Sequence, residues 1–189
     1  MIYMETERLY LRDFEAGDLD GVYEYCSSFD HLIYLPWGPL DYEQTKAKFE
    51  KVFEAYKSDD EKGRVHTAFA VVLKDTGEFI GRCFLLTRTG ESGELGWILI
   101  NRYQGKGYCT ELGNALLEFG FEKLGLHRIY AHCDADNIPS WKVMEKLGMR
   151  REGHYLETRP ANKLLQGKQK YSDEYEYAML EREWFDRKK

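Results

Sequence analysis

The chain has 189 residues and a formal net charge of −6, with 43% hydrophobic and 32% charged residues. This length and apolar content suit a single domain over residues 1–189. The acidic total argues against a nucleic-acid-binding protein, and no apolar run approaches the roughly 20 residues that span a membrane.

Cysteine spacing and the N-terminal segment indicate the cellular compartment. The four cysteines lie far apart and form no C-x-x-C pair, which argues against a disulfide framework or a structural zinc site. The first seven residues lack the basic start and apolar core of a signal peptide. We therefore expect a reduced, cytoplasmic protein without a metal site. The neighbouring His132, Cys133 and Asp134 are expected to be structural, because adjacent strand residues point to opposite faces.

The charge is unevenly distributed along the chain. Residues 1–61 carry 15 acidic and 6 basic side chains, whereas residues 62–189 carry 18 acidic and 21 basic ones. An acidic first third beside a basic remainder suits a protein that binds a cationic substrate and an anionic cofactor. The same pattern also suits solvated helix faces that have no partner.

Apolar periodicity and turn residues predict the order of helices and strands. The elements are a strand at 8–12, a helix at 18–27, a helix from about 42 to 57, strands at 67–73, 79–86 and 95–100, a helix after residue 107, a strand at 128–133, a helix from about 138, and strands at 154–157 and 171–180. The connecting segments include a loop at 31–40, a charged linker at 58–63 and a polar loop with Lys163, Lys168 and Lys170. This order predicts an α/β fold with a mixed sheet, in which the helical crossover makes strands 95–100 and 128–133 parallel.

The most informative stretch joins the strand at 95–100 to the next helix through Gly105 and Gly107. Glycine lets the backbone approach a ligand closely, because no Cβ stands in the way. The following helix N-terminus offers unpaired N–H groups and the positive end of the helix dipole. The stretch therefore predicts a binding site for a phosphate or pyrophosphate group.

Two common phosphate-binding motifs do not match this loop. Lys106 is followed by Gly107, where a Walker A loop needs serine or threonine. A dinucleotide-binding pattern that starts at Gly105 would place Thr110 where a small residue must pack closely. The spacing Arg102-x-x-Gly105-x-Gly107 instead resembles the acetyl-CoA-binding signature of the GNAT superfamily of N-acetyltransferases.

The resemblance covers most of the chain. Within the superfamily, the chain is similar to the ribosomal-protein N-acetyltransferase (RimJ/RimL) branch. The segments that carry it are Thr6-Glu-Arg-Leu-Tyr-Leu-Arg12, Glu94-Leu-Gly-Trp97, Gly105-Lys-Gly-Tyr-Cys-Thr-Glu111, Asn137-Ile-Pro-Ser140, Glu145-Lys-Leu-Gly-Met149, Glu152-Gly153 and Asp173 to Trp184. It implies a single α/β domain with a mixed, mostly antiparallel twisted sheet, helices on both faces, and a splayed pair of parallel central strands.

The same resemblance implies an activity. Acetyl-CoA, as co-substrate and without a metal, would give its acetyl group directly to a primary amine in a ternary complex. The amine would belong to a protein N-terminus or to a small molecule, and the enzyme would be a monomer or a homodimer with no nucleic-acid or membrane partner. The alternative is a non-catalytic domain that binds or senses acyl-CoA.

The family also implies which residues bind the cofactor. Those residues are Ile98, Leu99 and Ile100 for the pantetheine arm, Arg102, Gln104, Gly105, Lys106, Gly107, Tyr108, Cys109 and Thr110 for the pyrophosphate, and Asn137 and Ser140 on the helix that follows strand 128–133. Asn137 is also explained as the N-cap of its helix. Acylation of Cys109 is a disfavoured route, because the family transfers the acetyl group directly.

Two residues are implied as catalytic, each with a plain structural alternative. Ser140 would protonate the departing thiolate, or it is a structural serine. Glu94 would remove a proton from the acceptor amine, or it is an exposed or ion-paired acid at a strand edge. His154 and Glu157 are weaker candidates for the base. Three aromatic residues in or beside the 31–40 loop are expected to line the acceptor site or to cover the core: Tyr34, Trp37 and Tyr42.

Overall fold

The computed structural model describes residues 1–62, 66–87, 91–165 and 168–188. Eight strands form one sheet in the order β1-β2-β3-β4-β5-β6-β8-β7. The strands are β1 Ile2–Glu5, β2 Leu9–Arg12, β3 His66–Leu73, β4 Phe79–Thr87, β5 Ser92–Leu99, β6 Arg128–Asp134, β7 Arg150–Leu165 and β8 Lys168–Leu180. The helices are α1 Leu19–Ser27, α2 Phe29–Leu32, α3 Tyr42–Lys62, α4 Tyr108–Glu118, α5 Ile138–Lys146 and α6 Glu181–Asp186.

The neighbouring strands β5 and β6 are parallel, whereas the other strand pairs are antiparallel. Their ladder contains only three residue pairs, from Ser92 opposite Arg128 to Glu94 opposite Tyr130. Beyond these pairs, β5 continues to pair with β4 and β6 with β8, so the two strands separate. We call the gap between 95–99 of β5 and 131–134 of β6 the fork. The prediction of a mixed, mostly antiparallel sheet with a splayed parallel pair is confirmed.

Helices pack on both faces of the sheet. On one face, a Cβ added to Gly120, just after α4, would meet the side chains of Ile129 and Leu85 at 2.5 and 3.0 Å. On the other face, the ring of Phe14 lies 5.7 Å from Phe49 of α3 and 6.0 Å from Phe79 of β4. These contacts are aromatic and aliphatic, as a buried core requires. The fork lies between these two helical layers.

Several predicted boundaries are wrong. The strand β1 precedes the predicted first strand, and α3 continues to Lys62 through the predicted charged linker. Charged residues are compatible with a solvated helix, and the linker contains no glycine before residue 63. The last two strands replace most of the predicted polar loop, and α6 follows them. Residues 63 and 166–167 of these predicted connections lie outside the described residues.

Strand β5 also ends one residue earlier than predicted. Ile100 lies just beyond it and precedes a short 3-10 turn at Asn101–Tyr103. A capping box precedes α3, because Gln44 N donates to Asp41 Oδ1 at 2.8 Å and Asp41 N donates to Gln44 Oε1 at 3.1 Å. Within the described ranges, no helix combines the length and apolar character needed to cross a membrane.

Candidate active site

A cavity of about 350 Å³ lies beside the fork, within the size range of small-molecule sites. Its walls come from the end of β5, the glycine loop, the first turn of α4, the length of α5, and α2 with the segment after it. The predicted cofactor residues in the walls are Ile98, Leu99, Gln104, Gly105, Gly107, Tyr108, Cys109, Thr110, Asn137 and Ser140. The fold therefore brings together residues that are up to 42 positions apart in the sequence.

The glycine loop has the backbone shape that its two glycines permit. Gly105 and Gly107 have φ angles of +73° and +85°, which residues with a side chain rarely adopt. Gly107 O accepts hydrogen bonds from Thr110 N and Glu111 N, both at 3.1 Å, and so begins α4. The first N–H groups of a helix have no partner within it and attract anions. This arrangement fits a pyrophosphate group.

A second set of contacts ties the loop to the N-terminus of the chain. Glu111, in the first turn of α4, accepts hydrogen bonds from Thr6 Oγ1 at 2.5 Å, Arg8 N at 2.7 Å and Arg8 Nε at 2.7 Å. Arg8 also donates through Nη1 to Lys106 O at 3.1 Å and lies 4.5 Å from the Tyr108 ring. Arg8 thereby joins the loop and the helix that follows it. The family motif that contains Arg8 implies no role for it in the sequence.

These contacts set the ionisation of the Glu111 carboxyl. Burial opposes ionisation of Glu111, but the hydrogen bonds from Thr6 and Arg8 outweigh burial and lower its pKa. Glu111 is therefore a carboxylate at neutral pH, which keeps the ion pair with Arg8 at 2.7 Å.

Three predicted cofactor residues do not line the cavity. Ile100 is buried in the core, with 1% of its surface exposed. Arg102 forms ion pairs with Glu24 and, at 3.2 Å, with Glu78. The ammonium group of Lys106 lies 5.3 Å from the ring of Tyr103. The two cationic side chains are thus placed beside neighbouring protein groups.

The start of α5 lies against the fork. Asn137 is the N-cap residue of this helix and accepts a hydrogen bond from Ser140 N at 3.3 Å. The Ser140 hydroxyl contacts the Cys133 thiol on β6. Burial raises the pKa of Cys133 to about 12, and the Ser140 hydroxyl opposes that rise. Ser140 therefore lies at one wall of the fork, with its hydroxyl beside β6.

Two lysines that the sequence reasoning did not single out also line the cavity. Lys142 and Lys146 lie one turn apart on α5, so both side chains lie on one face of the helix. Cationic side chains at this spacing suit the phosphate groups of a nucleotide-containing ligand. The i, i+4 spacing of the two lysines is the signal that could have identified them.

Glu94 occupies the narrow end of the fork, at the last residue pair between β5 and β6. Its Oε1 atom lies 3.7 Å from His132 Nδ1. Glu94 does not line the cavity described above. The weaker candidates lie on β7, which is separated from β6 by β8: His154 Nε2 is 3.3 Å from Asp173 Oδ2, and Glu157 N donates to Asp173 Oδ1 at 2.9 Å.

Of the three loop aromatics, Tyr34 lines the cavity and the other two pack elsewhere. Trp37 packs against the core and lies 4.9 Å from the ammonium group of Lys48. Tyr42 donates a hydrogen bond to Asp20 at 3.1 Å.

Cys109 lies at the cavity with a thiol that is poorly suited to nucleophilic chemistry. Burial raises its pKa to about 12, so the thiol is protonated at neutral pH. A thiolate is the reactive form of cysteine. This environment disfavours acylation of Cys109.

The family model of the acetyltransferase (GNAT) domain matches residues 8–150. The chain is 39% identical over 184 residues to an uncharacterised N-acetyltransferase, YnaD, from Bacillus subtilis (strain 168), covering 97% of this chain and 99% of that protein. It is 28% identical over 154 residues to a spermidine N(1)-acetyltransferase from Vibrio cholerae, covering 80% and 84%. A putative ribosomal N-acetyltransferase, YdaF, from Bacillus subtilis is 27% identical over 99 residues, covering 52% and 51%.

Solved structures that resemble this chain are also acetyltransferases. An acetyltransferase (GNAT family) from Bacillus anthracis has a TM-score of 0.80 at 35% identity, covering 97% of this chain and 100% of that one. Spermidine N-acetyltransferase from Vibrio cholerae, in complex with CoA and spermine, has a TM-score of 0.75 at 25% identity, covering 94% and 98%. This chain therefore belongs to the GNAT acetyltransferase family and is an acetyl-CoA-dependent N-acetyltransferase.

Proposed function

We propose that this enzyme acetylates a cationic primary amine of a small molecule, by direct transfer in a ternary complex. The observation that carries the proposal is the cavity that the glycine loop and the edge of β5 form at the fork. The pyrophosphate would bind the amides from Gln104 to Thr110. The pantetheine arm would lie along 98–99 of β5, where an extended ligand can pair with strand backbone.

The proposed reaction needs a neutral amine and a protonated leaving group. The acceptor ammonium first loses one proton to a base, and the neutral nitrogen then bonds to the acetyl carbon. As the carbon–sulfur bond breaks, the nitrogen loses a second proton to leave a neutral amide, and the departing thiolate takes up one proton. In the proposed complex, Glu94 binds the acceptor ammonium at the narrow end of the fork, and the proton passes to Glu94 or to a neighbouring base. In the same complex, Ser140 gives a proton to the thiolate. Asn137 holds the start of α5 in place by accepting a hydrogen bond from Ser140 N.

The choice of a small molecule rests on how much of the chain each named relative matches. The relative named for spermidine matches 80% of this chain, whereas the relative named as ribosomal matches 52%. Glu94 at the narrow end of the fork and Asp30 at the cavity supply negative charge for a cation. A protein N-terminus has the same ammonium chemistry, so both acceptor classes belong in one assay.

The test is release of free thiol from acetyl-CoA with polyamines, aminoglycosides and peptides that differ in their first residue. The proposal predicts thiol release with at least one small amine, and mass spectrometry should find the acetyl group on its nitrogen. Faster turnover of peptides would identify a protein acetyltransferase of the RimJ/RimL type. Binding of acetyl-CoA without thiol release for any amine would support a sensing domain instead.

Two variants test the assigned roles. Ser140→Ala and Glu94→Gln should lower kcat, each by roughly 10²-fold or more if the side chain transfers a proton. The matched control is Glu118→Gln, which removes an exposed carboxylate at the end of α4. Unchanged kcat in Ser140→Ala would leave Ser140 with a structural role only.

A further inference from the structure

His132 lies at the narrow end of the fork, between two carboxylates from different strands. On β6, Tyr130 is the residue opposite Glu94, and His132 is the next residue on the same face. On β8, Glu176 lies opposite His132 in the antiparallel ladder. The imidazole is partly exposed, with 35% of its side-chain surface accessible. A ligand at the narrow end of the fork can therefore reach it.

The two ring nitrogens have different surroundings. Nε2 lies 3.1 Å from Glu176 Oε2, a hydrogen-bond distance, whereas Nδ1 lies 3.7 Å from Glu94 Oε1. A carboxylate can only accept hydrogen bonds, so Nε2 carries the proton in the neutral ring. The lone pair of neutral His132 is then on Nδ1, which faces Glu94.

Two further hydrogen bonds hold the Glu176 carboxylate beside the His132 ring. It accepts from Arg128 Nη2 at 2.5 Å and from Tyr155 OH at 3.0 Å. Burial alone would raise the pKa of Glu176, but the hydrogen bonds from Arg128, Tyr155 and His132 lower it. Glu176 therefore remains a carboxylate and fixes the orientation and tautomer of the ring.

We propose that His132 is the base that takes the proton from the acceptor amine, while Glu94 binds the ammonium and Glu176 positions the ring. The 3.7 Å gap between Nδ1 and Glu94 Oε1 lets one ammonium group donate an N–H to each. One proton moves from the acceptor nitrogen to Nδ1, which leaves a neutral amine and an imidazolium. The imidazolium then returns the proton to water. This role of His132 rests on the proposed function, because it names the base for the proposed acetyl transfer.

The charged and titratable groups around the ring suit this role. Glu94 faces it from β5, the Tyr130 ring lies 5.4 Å away on β6, and Glu176 faces it from β8. Arg128 and Tyr155 act on the ring through Glu176. The Glu94 carboxylate raises the pKa of His132, burial opposes that rise, and Glu176 adds to it. A base whose pKa is raised towards neutral pH is efficient at neutral pH.

The experiment combines kinetics with a direct titration of the ring. In the wild type, kcat/KM should rise with pH as His132 loses its proton. Glu176→Gln keeps a hydrogen-bond acceptor but removes the charge, so this rise should move to lower pH. His132→Gln should abolish the rise and lower kcat/KM by about 10²–10⁴-fold. His127→Gln, which changes an exposed histidine just before β6, is the matched control and should behave as wild type.

An NMR titration of the histidine ring protons, without any substrate, gives an independent readout. The His132 signal is the one missing from His132→Gln, and its pKa should fall in Glu176→Gln. An unchanged kcat/KM profile in His132→Gln, or an unchanged ring pKa in Glu176→Gln, would overturn the role of His132. Absence of acetyl transfer by the wild type would instead contradict the proposed function.

Discussion

Glu111→Gln is the most informative single change outside the reacting groups. The carboxylate joins α4 to the N-terminal segment, and Arg8 extends that contact to the carbonyl of Lys106 in the glycine loop. Glutamine keeps the size and one oxygen of the side chain, which can still accept from Thr6 and from Arg8 N. Its amide nitrogen, however, would face the guanidinium donors of Arg8.

The size of the effect follows from the exposure of the two partners. A hydrogen bond to a charged group contributes about 1.5–3 kcal/mol. The Arg8 side chain is 42% exposed, so solvent screening reduces that value to about 1–2 kcal/mol. For a domain of this size, a loss of this magnitude lowers Tm by about 2–8 °C. The loop also loses an attachment, so KM for acetyl-CoA should rise while kcat stays near the wild-type value.

The assays are thermal unfolding at several pH values and steady-state kinetics at pH 7. The pKa of Glu111 is lowered from 4.5, so its contribution to stability is full above that value. The contribution is lost as pH falls through the lower pKa of the folded state. The Tm difference between wild type and Glu111→Gln should therefore shrink in acid. Equal Tm and equal KM for the two proteins at pH 7 would refute the reasoning, and Glu118→Gln is the control.

Two further predictions concern the cavity and the core. Cys109→Ala should retain kcat. The native Cys109 thiol should react slowly with iodoacetamide at pH 8, because burial raises its pKa to about 12. Loss of acetyl transfer in Cys109→Ala would instead indicate an acyl-cysteine intermediate. Asp18→Asn should lower the free energy of unfolding, measured with urea, by about 3 kcal/mol, because Asp18 accepts two hydrogen bonds from Arg12 at 2.7 and 2.8 Å in a buried setting. An unchanged unfolding midpoint would mean that this pair adds nothing to stability.

The glycine loop could be predicted from the sequence because its signals are local. Gly105 and Gly107 stand two residues apart between an apolar strand and a helix, and the strand, the glycines and the helix N-terminus together indicate an anion site. The splayed strands followed from the family resemblance together with the helical crossover. The glycine spacing involves neighbouring residues, and the crossover joins two strands that are consecutive elements of the sheet.

Contacts between residues that are far apart in the sequence could not be predicted from local patterns. Arg8 and Glu111 are 103 positions apart, and His132 and Glu176 are 44 apart. The sequence alone predicts a structural role for His132, because its neighbour Cys133 points to the other face of the strand. The polar residues at alternate positions of β6, Arg128, Tyr130 and His132, were the signal that a second, chemically distinct face existed.

The central claim is that the glycine loop beside the fork binds acetyl-CoA, and calorimetric titration of two glycine variants tests it most directly. Gly105 and Gly77 have φ angles of +73° and +72°, and a Cβ added at either would meet nothing within 4 Å. Alanine at either position therefore costs a similar backbone strain of about 1 kcal/mol, but Gly77 lies in the β3–β4 turn, outside the cavity.

Gly77→Ala should bind one acetyl-CoA per chain as tightly as the wild type. Gly105→Ala should bind it about tenfold more weakly, a loss of about 1.4 kcal/mol, because in the proposed complex the added Cβ would meet the phosphates of acetyl-CoA. Equal affinity of the two variants, or no binding by the wild type, would contradict the account.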